Sequence, residues 1–246
     1  MDYLKSALVW LVGIAFLLIF FPVTFIIWLI SLPFDKDRNL VHLMIIYQSM
    51  LISYLIPVWK IKIQGREKAG KGQTCVIISN HQSILDILVI NCLGLRFKWI
   101  SKIENYKVPV LGWYLRMAKY ITVDRGDKES KVKMLSESYE CLKKGNSIMI
   151  FPEGTRSVDG EIGFFKRGAF QLAISAGVPI LPVLIDGTGG ILPKHGLKFG
   201  GYHKVAVKVL DPVPPEKFSC SDPDKLAEVF MQSMKNELNA LRTASS

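Results

Sequence analysis

The sequence predicts an α/β fold, a sheet flanked by helices, that is preceded by an N-terminal hydrophobic helical hairpin. From Lys60 onward, short strand-like runs alternate with helical ones, which is the pattern of a sheet with helices on its faces. Residues 1–59 carry three basic and three acidic side chains, so the net charge of +10 belongs to the rest of the chain. These observations divide the chain into a membrane-associated hairpin, residues 1–59, and a basic α/β domain, residues 60–246.

Two uncharged runs on either side of a polar turn predict the hairpin. Residues 6–34 contain no charged side chain over 29 positions, and about 20 apolar residues span a bilayer core as a helix. Pro22 is expected to kink or break this helix. A second, less apolar run, residues 39–59, follows the turn at residues 35–38, and its His42 is expected to be a packing residue. The pair is expected either to cross the bilayer or to lie in one leaflet.

The α/β domain contains seven predicted strands and four predicted helices. The strand predictions rest on short apolar or alternating runs, at residues 61–64, 75–79, 97–101, 121–123, 147–151, 180–185 and 205–210. The helix predictions rest on apolar positions three and four apart, at residues 84–92, 128–143, 169–176 and 223–241. The glycine-rich stretch at residues 187–190 is expected to be a loop.

The basic charge of the domain indicates an anionic partner, either lipid headgroups or substrate. Cationic residues crowd the exit of the hairpin, which favours a cytoplasmic position for the domain: Lys60, Lys62, Arg66, Lys68 and Lys71. Nucleic acid is not expected, because no nucleic-acid motif occurs and the lysines are scattered. The four cysteines form no CxxC pair, so no zinc ribbon, redox motif or other metal site is expected.

The first motif, NHQSILD at residues 80–86, closes a predicted strand and offers a base with an orienting carboxylate. On one helix, His81 and Asp86 would point about 140° apart, so His81 must lie in the turn before the helix if the two are to touch. Asp86 would then accept a hydrogen bond from His81 Nδ1, which leaves Nε2 free to take a proton. Taken alone, the spacing also fits a structural His–Asp pair.

The second motif, FPEGTRS at residues 151–157, also closes a predicted strand and suits the binding of an anion. Arg156 can bind a phosphate in a forked geometry. Gly154 allows close approach of the backbone, and Glu153 can pin the loop or the arginine. Taken alone, this motif also fits a salt-bridged surface turn.

Four sequence blocks, taken in order, resemble those of the glycerolipid acyltransferases. The blocks are NHQSILD, a central block with Lys102, Pro109, Gly112 and Arg125, then FPEGTRS, then VPILP at residues 178–182. The likeness is nearest to the bacterial 1-acylglycerol-3-phosphate acyltransferases and runs from about residue 60 to residue 187. It implies a mixed sheet of the glycerol-3-phosphate acyltransferase-like kind. One departure is Lys119, at a position near which family members often have a glycine, so either the local backbone differs or a cation is added near the acceptor site.

The resemblance implies transfer of an acyl chain to the 2-hydroxyl of lysophosphatidate, which makes phosphatidic acid. His81 would be the general base, and Asp86 would orient it. The acceptor site would be built from Lys102, Arg125, Glu153, Gly154, Thr155 and Arg156, with the cations on the phosphate. Residues 178–182 would support the pocket and the acyl donor. The expected partners are a phospholipid bilayer, lysophosphatidate and, as co-substrate, acyl-CoA or acyl-carrier protein, with no other cofactor; the expected location is the inner membrane, with the catalytic domain on its cytoplasmic face.

Three alternatives stay open at this point. The same chemistry could use another acceptor, such as glycerol 3-phosphate or a different lysophospholipid. A membrane-bound lipid-binding protein with a degenerate site is a second alternative, which the complete motifs disfavour. A hydrolase that uses His81 as a base toward water is the third, and it is disfavoured because no acidic or metal-ligand cluster accompanies the histidine.

Overall fold

The computed structural model describes residues 3–56, 58–70 and 72–243, in which a helical hairpin is followed by alternating strands and helices. The helices are α1 Tyr3–Ser31, α2 Asn39–Leu55, α3 Asp86–Asn91, α4 Leu111–Met117, α5 Lys128–Lys143, α6 Gly168–Ala176, α7 Thr188–Ile191 and α8 Pro223–Thr243. The strands are β1 Trp59–Gln64, β2 Val76–Ser79, β3 Phe97–Lys102, β4 Ile121–Val123, β5 Ser147–Ile150, β6 Ile180–Asp186 and β7 His203–Val209. Every predicted strand and helix of the α/β domain is present, with ends displaced by a few residues.

The strands form one seven-stranded mixed sheet in the order β1-β7-β6-β2-β5-β3-β4. Strands β2 to β6 run parallel to one another. Strand β7 is antiparallel to β6 and parallel to β1. The predicted fold class is therefore confirmed. The carboxyl ends of the five parallel strands meet along one edge, which is where open α/β sheets bind their ligands.

Helices cover both faces of the sheet. Helices α5, α6 and α8 pack on one face, where Phe170, Phe230 and Met234 are buried. Helices α1 to α4 pack on the other face, in a second hydrophobic cluster that includes Val89 and Trp99. The sheet is buried between these two layers, so only its edges and its two ends remain for function.

The N-terminal hairpin belongs to the second of these layers. Helix α1 runs through Pro22 without a break, and it is long and apolar enough to cross a bilayer by length and composition. Helix α2 buries three apolar side chains, Val41, Ile46 and Ile52, of which Val41 and Ile52 belong to this hydrophobic cluster. His42 is buried there too, with Nδ1 2.7 Å from the Tyr120 hydroxyl and Nε2 3.1 Å from the Leu95 carbonyl oxygen. The prediction that His42 is a packing residue is confirmed.

Two short helices, α4 and α7, are not predicted by the sequence. Helix α4 has seven residues, too few to show a helical period, and it forms where Trp113 packs against Phe21 of α1 at 5.4 Å. Helix α7, Thr188–Ile191, overlaps the stretch predicted as a loop, so that prediction is wrong over residues 188–190. Two of its four residues are glycine, and the hydrogen bond from the Thr188 side chain to Asp86 stabilises it.

Candidate active site

The two sequence motifs meet at the carboxyl edge of the parallel strands. His81 follows β2, and the residues from Phe151 to Arg156 follow β5, the strand that pairs directly with β2. Lys102 ends β3, and Arg125 lies just beyond β4. The order of these strands in the sheet is β2-β5-β3-β4, so the candidate base and the predicted cations form a row along one edge.

The predicted contact between His81 and Asp86 is present, with Nδ1 2.8 Å from Oδ2. Helix α3 begins at Asp86, so His81 lies in the preceding turn and the wide separation expected within one helix does not arise. Gln82 and Ser83 lie before the helix and do not belong to it. Their backbone N–H groups instead donate to Asp86 Oδ2, at 2.7 and 2.9 Å, so the turn is wrapped around the carboxylate.

Asp86 is fully buried and hydrogen-bonded on both oxygens. In addition to the contacts of Oδ2, the Thr188 hydroxyl donates to Oδ1 at 2.5 Å. A carboxylate with this many donors acts as an acceptor toward His81, so the proton on the ring stays at Nδ1. Among the described residues, Nε2 of His81 has no hydrogen-bond partner. The arrangement leaves that nitrogen available to accept a proton.

Aromatic stacking fixes the plane of the His81 ring. The ring lies on Phe151 with centroids 3.9 Å apart and an angle of 8° between the planes. Phe151 in turn stacks on Trp99 at 5.6 Å. The Asn80 side chain exchanges two hydrogen bonds with the backbone of Ile185, at 2.8 and 2.9 Å, and so ties the end of β2 to β6. The turn that carries the candidate base is therefore held from both strands that flank β2, by Phe151 after β5 and by Ile185 of β6.

The Glu153 side chain is hydrogen-bonded to the backbone of His81. Its Oε1 accepts from the His81 N–H at 2.9 Å and its Oε2 accepts from the Gly163 N–H at 3.0 Å. The side chain is buried, and this burial raises the pKa of Glu153, against the lowering effect of the two backbone N–H groups. Because both oxygens are already bonded, any part of Glu153 in the acceptor site is indirect.

Gly154 makes the turn that carries the predicted phosphate ligands. Its φ of +68° is a left-handed conformation, and a Cβ there would lie 2.7 Å from Nζ of Lys166. Thr155 is exposed and Arg156 is partly exposed. The Ser157 N–H then donates to the His81 carbonyl oxygen at 2.7 Å. Arg156 therefore lies between two residues that hold the backbone of the candidate base, and no ion-pair partner for it occurs in residues 3–56, 58–70 and 72–243.

Lys102 and Arg125 lie farther along the same edge. Strands in a sheet are about 4.8 Å apart, so β3 and β4 lie roughly 10 and 14 Å from β2. Both side chains are exposed, and Lys102 Nζ is 2.8 Å from Glu104 Oε1. The fold aligns these cations with His81 but does not bring them into contact with it.

Lys119 adopts a left-handed backbone conformation, with φ of +51°. A glycine would take this conformation more readily, which explains why a glycine is common near this position, and Lys119 adopts it at some cost in strain. Its Nζ donates to the Lys36 carbonyl oxygen in the hairpin turn at 3.0 Å, so it does not add a cation to the acceptor site.

Strand β6 contributes to the site through its carboxyl end, whereas the prediction concerned residues 178–182 at its amino end. Residues 178 and 179 precede β6 and lie at the edge away from His81, because β6 runs parallel to β2. Its carboxyl end carries Asp186, which accepts from the Gln82 side chain at 3.2 Å, and is followed by Thr188. Gln82, Asp186 and Thr188 were not predicted from the sequence as residues of the site. A threonine between glycines directly after a buried strand was the available signal.

The comparisons with known proteins agree with this geometry. A sequence model of the family named Acyltransferase matches residues 60–186. The chain belongs to this family. It is 44% identical over 163 residues to a chloroplastic 1-acyl-sn-glycerol-3-phosphate acyltransferase of Brassica napus, with 66% of this chain and 47% of that protein covered. It is 36% identical over 148 residues to the Pseudomonas aeruginosa 1-acyl-sn-glycerol-3-phosphate acyltransferase, with 59% of this chain and 57% of that protein covered.

A solved structure extends the likeness to the hairpin. The crystal structure of PlsC, the 1-acyl-sn-glycerophosphate (LPA) acyltransferase from Thermotoga maritima, superposes with a TM-score of 0.84 at 27% identity. The match covers 97% of this chain and 95% of that chain. The curated plant relatives are longer, and this chain spans about half the length of the first of them. The predicted resemblance to the glycerolipid acyltransferases is confirmed.

Proposed function

We propose that this protein transfers an acyl chain from an acyl thioester to the 2-hydroxyl of 1-acylglycerol 3-phosphate and so makes phosphatidic acid. The observation that carries the proposal is the His81–Asp86 pair, whose Nε2 has no partner among the described residues and which lies at the same sheet edge as the predicted cations. The acceptor named for the relatives from Brassica napus, Pseudomonas aeruginosa and Thermotoga maritima supports this assignment. The donor is acyl-CoA or acyl-carrier protein, and no other cofactor is required.

His81 acts as the general base in the proposed reaction. Its Nε2 takes the proton of the acceptor hydroxyl as the oxygen attacks the thioester carbonyl carbon. The tetrahedral intermediate then collapses, the carbon–sulfur bond breaks, and the protonated imidazole returns its proton to the leaving thiolate. Asp86 stabilises the imidazolium formed between these steps through the 2.8 Å contact to Nδ1. The acceptor itself is the nucleophile, so the protein needs no nucleophilic side chain.

The acceptor phosphate is bound by Arg156, with Lys102 and Arg125 farther along the edge. Arg156 follows the strand next to His81 and has a planar donor group that suits a phosphate. The distance from the phosphate to the 2-hydroxyl is spanned by the glycerol backbone of the acceptor. In this proposal, Gly154 gives the loop its turn, while Thr155 offers a hydroxyl at its exposed tip.

The hairpin, residues 1–59, serves as a membrane anchor that lies in one leaflet. Helix α1 contacts the domain near both ends: Trp10 Nε1 donates to the Leu197 carbonyl oxygen at 2.8 Å, and Thr24 accepts from Gln48 at 2.7 Å. These contacts are 14 residues apart, about 21 Å along a helix, so α1 lies against the domain and does not project from it. Its outward face is apolar and exposed, at Leu4, Leu8, Leu11, Ile14, Leu18, Ile19, Ile26, Leu29 and Ile30.

An anchor of this kind holds the domain, residues 60–246, at the bilayer surface where a lipid acceptor is found. The lysines and arginines that follow the hairpin favour the cytoplasmic face, and the inner membrane is the proposed location. The donor then reaches the site from the water phase, and the acceptor from the membrane.

The test is a two-substrate assay on detergent-purified protein. Lysophosphatidate is offered beside glycerol 3-phosphate and lysophosphatidylcholine, each with palmitoyl-CoA and palmitoyl-carrier protein. We expect phosphatidic acid from lysophosphatidate, and its loss by about 10²-fold or more in His81→Ala. Product from another acceptor would support the same mechanism with a different acceptor substrate. Near-normal turnover in His81→Ala would contradict the assignment of the base, and free fatty acid as the main product would favour a hydrolase.

A further inference from the structure

We propose that Arg242, in the last turn of α8, is a positioning residue for His81 and for the loop next to Arg156. This inference rests on the proposed function of those two residues. Arg242 lies more than 150 residues from His81 in the chain and belongs to none of the sequence blocks that resemble the acyltransferases. The tertiary structure brings α8 to the same edge of the sheet, beside a cavity of about 330 Å³ that Gln82, Asp186 and Arg242 help to line.

The guanidinium of Arg242 binds two segments that surround the site. Its Nε and Nη2 donate to Asp186 Oδ1, at 3.1 and 3.0 Å, at the carboxyl end of β6. Nη2 also donates to the Gly160 carbonyl oxygen at 2.9 Å, and Nη1 donates to Glu161 Oε1 at 2.5 Å. One side chain therefore joins β6 to the loop that follows the second motif, with a geometry that a planar, forked donor suits.

Gln82, the residue after His81, uses the same two acceptors. Its Nε2 donates to the Gly160 carbonyl oxygen at 3.1 Å and to Asp186 Oδ1 at 3.2 Å. Its backbone N–H donates to Asp86 Oδ2. Gln82 is buried, so its side chain depends on these partners remaining in place. Arg242 thus acts on the His81–Asp86 pair through acceptors that it shares with Gln82.

The loop at residues 157–163, here named the site loop, is attached to His81 at both ends. At one end the Ser157 N–H donates to the His81 carbonyl oxygen, and at the other the Gly163 N–H donates to Glu153, which also accepts from the His81 N–H. Arg242 holds the middle of the site loop through Gly160 and Glu161. Without Arg242, the site loop would lose these contacts and the backbone support of His81 would loosen.

The same contacts contribute little to the docking of α8. The helix is held by a buried apolar face that includes Phe230, Met234 and Leu238. The ion pairs of Arg242 are partly exposed, with 31% of its side chain accessible, and such pairs add little to stability. We therefore expect that removing Arg242 affects catalysis much more than folding.

The experiment compares Arg242→Ala and Arg242→Lys with Arg167→Ala in the full-length protein. Arg167 is a matched control, because it also joins α8 to another element through an arginine–aspartate pair, with Asp224 at 3.5 Å, but on the outer surface. We expect Arg242→Ala to lower kcat by about tenfold to a hundredfold, since small displacements of reacting groups cost this much, and to raise the KM for lysophosphatidate. Arg242→Lys should retain part of the activity, and added methylguanidinium should restore part of it to Arg242→Ala. The unfolding midpoint should match that of Arg167→Ala.

A purely structural role gives a different result. A smaller folded fraction would lower the apparent kcat with an unchanged KM and without rescue by methylguanidinium, and that outcome overturns the inference. So does an Arg242→Ala variant whose kinetics equal those of Arg167→Ala while the wild-type protein forms phosphatidic acid.

Amide hydrogen exchange tests the same inference without any assay of the reaction. In Arg242→Ala, the amides of the site loop should exchange faster than in wild type, and in Arg167→Ala they should not. Unchanged exchange in the site loop overturns the inference. Failure of the wild-type protein to make phosphatidic acid, with faster exchange in Arg242→Ala, contradicts the proposed function and leaves the positioning contact supported.

Discussion

Two histidines, His81 and His42, occupy contrasting regions of this molecule. His42 belongs to helix α2 of the hairpin, and both of its ring nitrogens are hydrogen-bonded to the domain, at the Tyr120 hydroxyl and the Leu95 carbonyl oxygen. His81 lies at the carboxyl edge of the sheet with Nδ1 on Asp86, while Nε2 has no partner in the part of the chain that the structure describes. Each ring packs on an aromatic neighbour, so ring packing alone does not distinguish them.

The difference lies in which atom of the ring is left for a substrate. At the hairpin, both ring nitrogens of His42 are hydrogen-bonded within the protein, and this favours packing and stability. The sheet edge holds the backbone and one nitrogen of its histidine and leaves the other nitrogen available, which favours proton transfer. Changes at the edge should therefore affect turnover more than stability, and changes under the hairpin should do the reverse.

The largest effect is expected from Asp86→Asn. The amide keeps the shape of the carboxylate but replaces one acceptor oxygen with a donor, in a site where both oxygens accept hydrogen bonds. We expect kcat to fall by about 10²- to 10⁴-fold, because residue 86 would no longer hold His81 in the tautomer with its proton on Nδ1 and would no longer stabilise the charged ring. Single-turnover kinetics with lysophosphatidate would measure this. A variant with kcat within about twofold of wild type would show that the sheet edge is not organised around this pair.

Arg156→Ala is expected to have the next largest effect, mainly on the KM for the acceptor. A charge-assisted hydrogen bond contributes about 1.5 to 3 kcal/mol, which corresponds to roughly a tenfold to hundredfold rise in KM if it forms in the ground state. Initial rates over a range of lysophosphatidate at saturating donor give the value. Arg156→Lys is the control that keeps the charge without the fork. A change confined to saturation by the donor would remove Arg156 from the phosphate site.

His42→Gln tests the region where the hairpin packs on the domain, through the pH dependence of stability. Burial lowers the pKa of His42 to about 4, from 6.5, in spite of its hydrogen bond to the Leu95 carbonyl oxygen. Between these values the unfolded chain binds a proton that the folded protein excludes, so the free energy of unfolding falls as the pH falls. The contribution is about 3 kcal/mol between pH 6.5 and 4.

Glutamine does not titrate, so His42→Gln should lose less stability than wild type over this interval. Denaturant unfolding in detergent at several pH values gives the comparison, and the activity at pH 7.5 of the folded variant should stay close to that of wild type. Equal slopes for the two proteins would mean that His42 is not held neutral under the hairpin.

The smallest expected effect comes from Lys119, in the turn beneath the hairpin. Lys119→Gly and Lys119→Ala both lose the contact of Nζ with Lys36, but only glycine takes a φ of +51° without strain. We expect the glycine variant to be more stable than the alanine variant by about 1 kcal/mol, measured from their unfolding midpoints. Both should keep the wild-type KM for the acceptor. A raised KM in both would place this cation near the acceptor after all.

Much of the site was accessible from the sequence because its parts are local. His81 and Asp86 are five positions apart, and a strand followed by a helix allows one arrangement in which they touch. The turn at Gly154 was predictable for a similar reason, since a glycine two residues before an arginine in a short motif indicates a close backbone approach. The resemblance to a known family supplied the cations of the row, but their alignment depends on strand order, which the local pattern does not carry.

The alternation of strands and helices, the apolar hairpin and the two motifs follow from the sequence alone, because each depends on neighbours within a few residues. The roles of Thr188, Gln82 and Arg242, and the use of both Glu153 oxygens as acceptors, emerge only from the folded chain. These contacts join residues that are distant in the chain, and polar groups at such positions look like ordinary loop or surface residues in a sequence. Their partners are chosen by the order of the strands in the sheet, a property of the whole chain that no short segment carries.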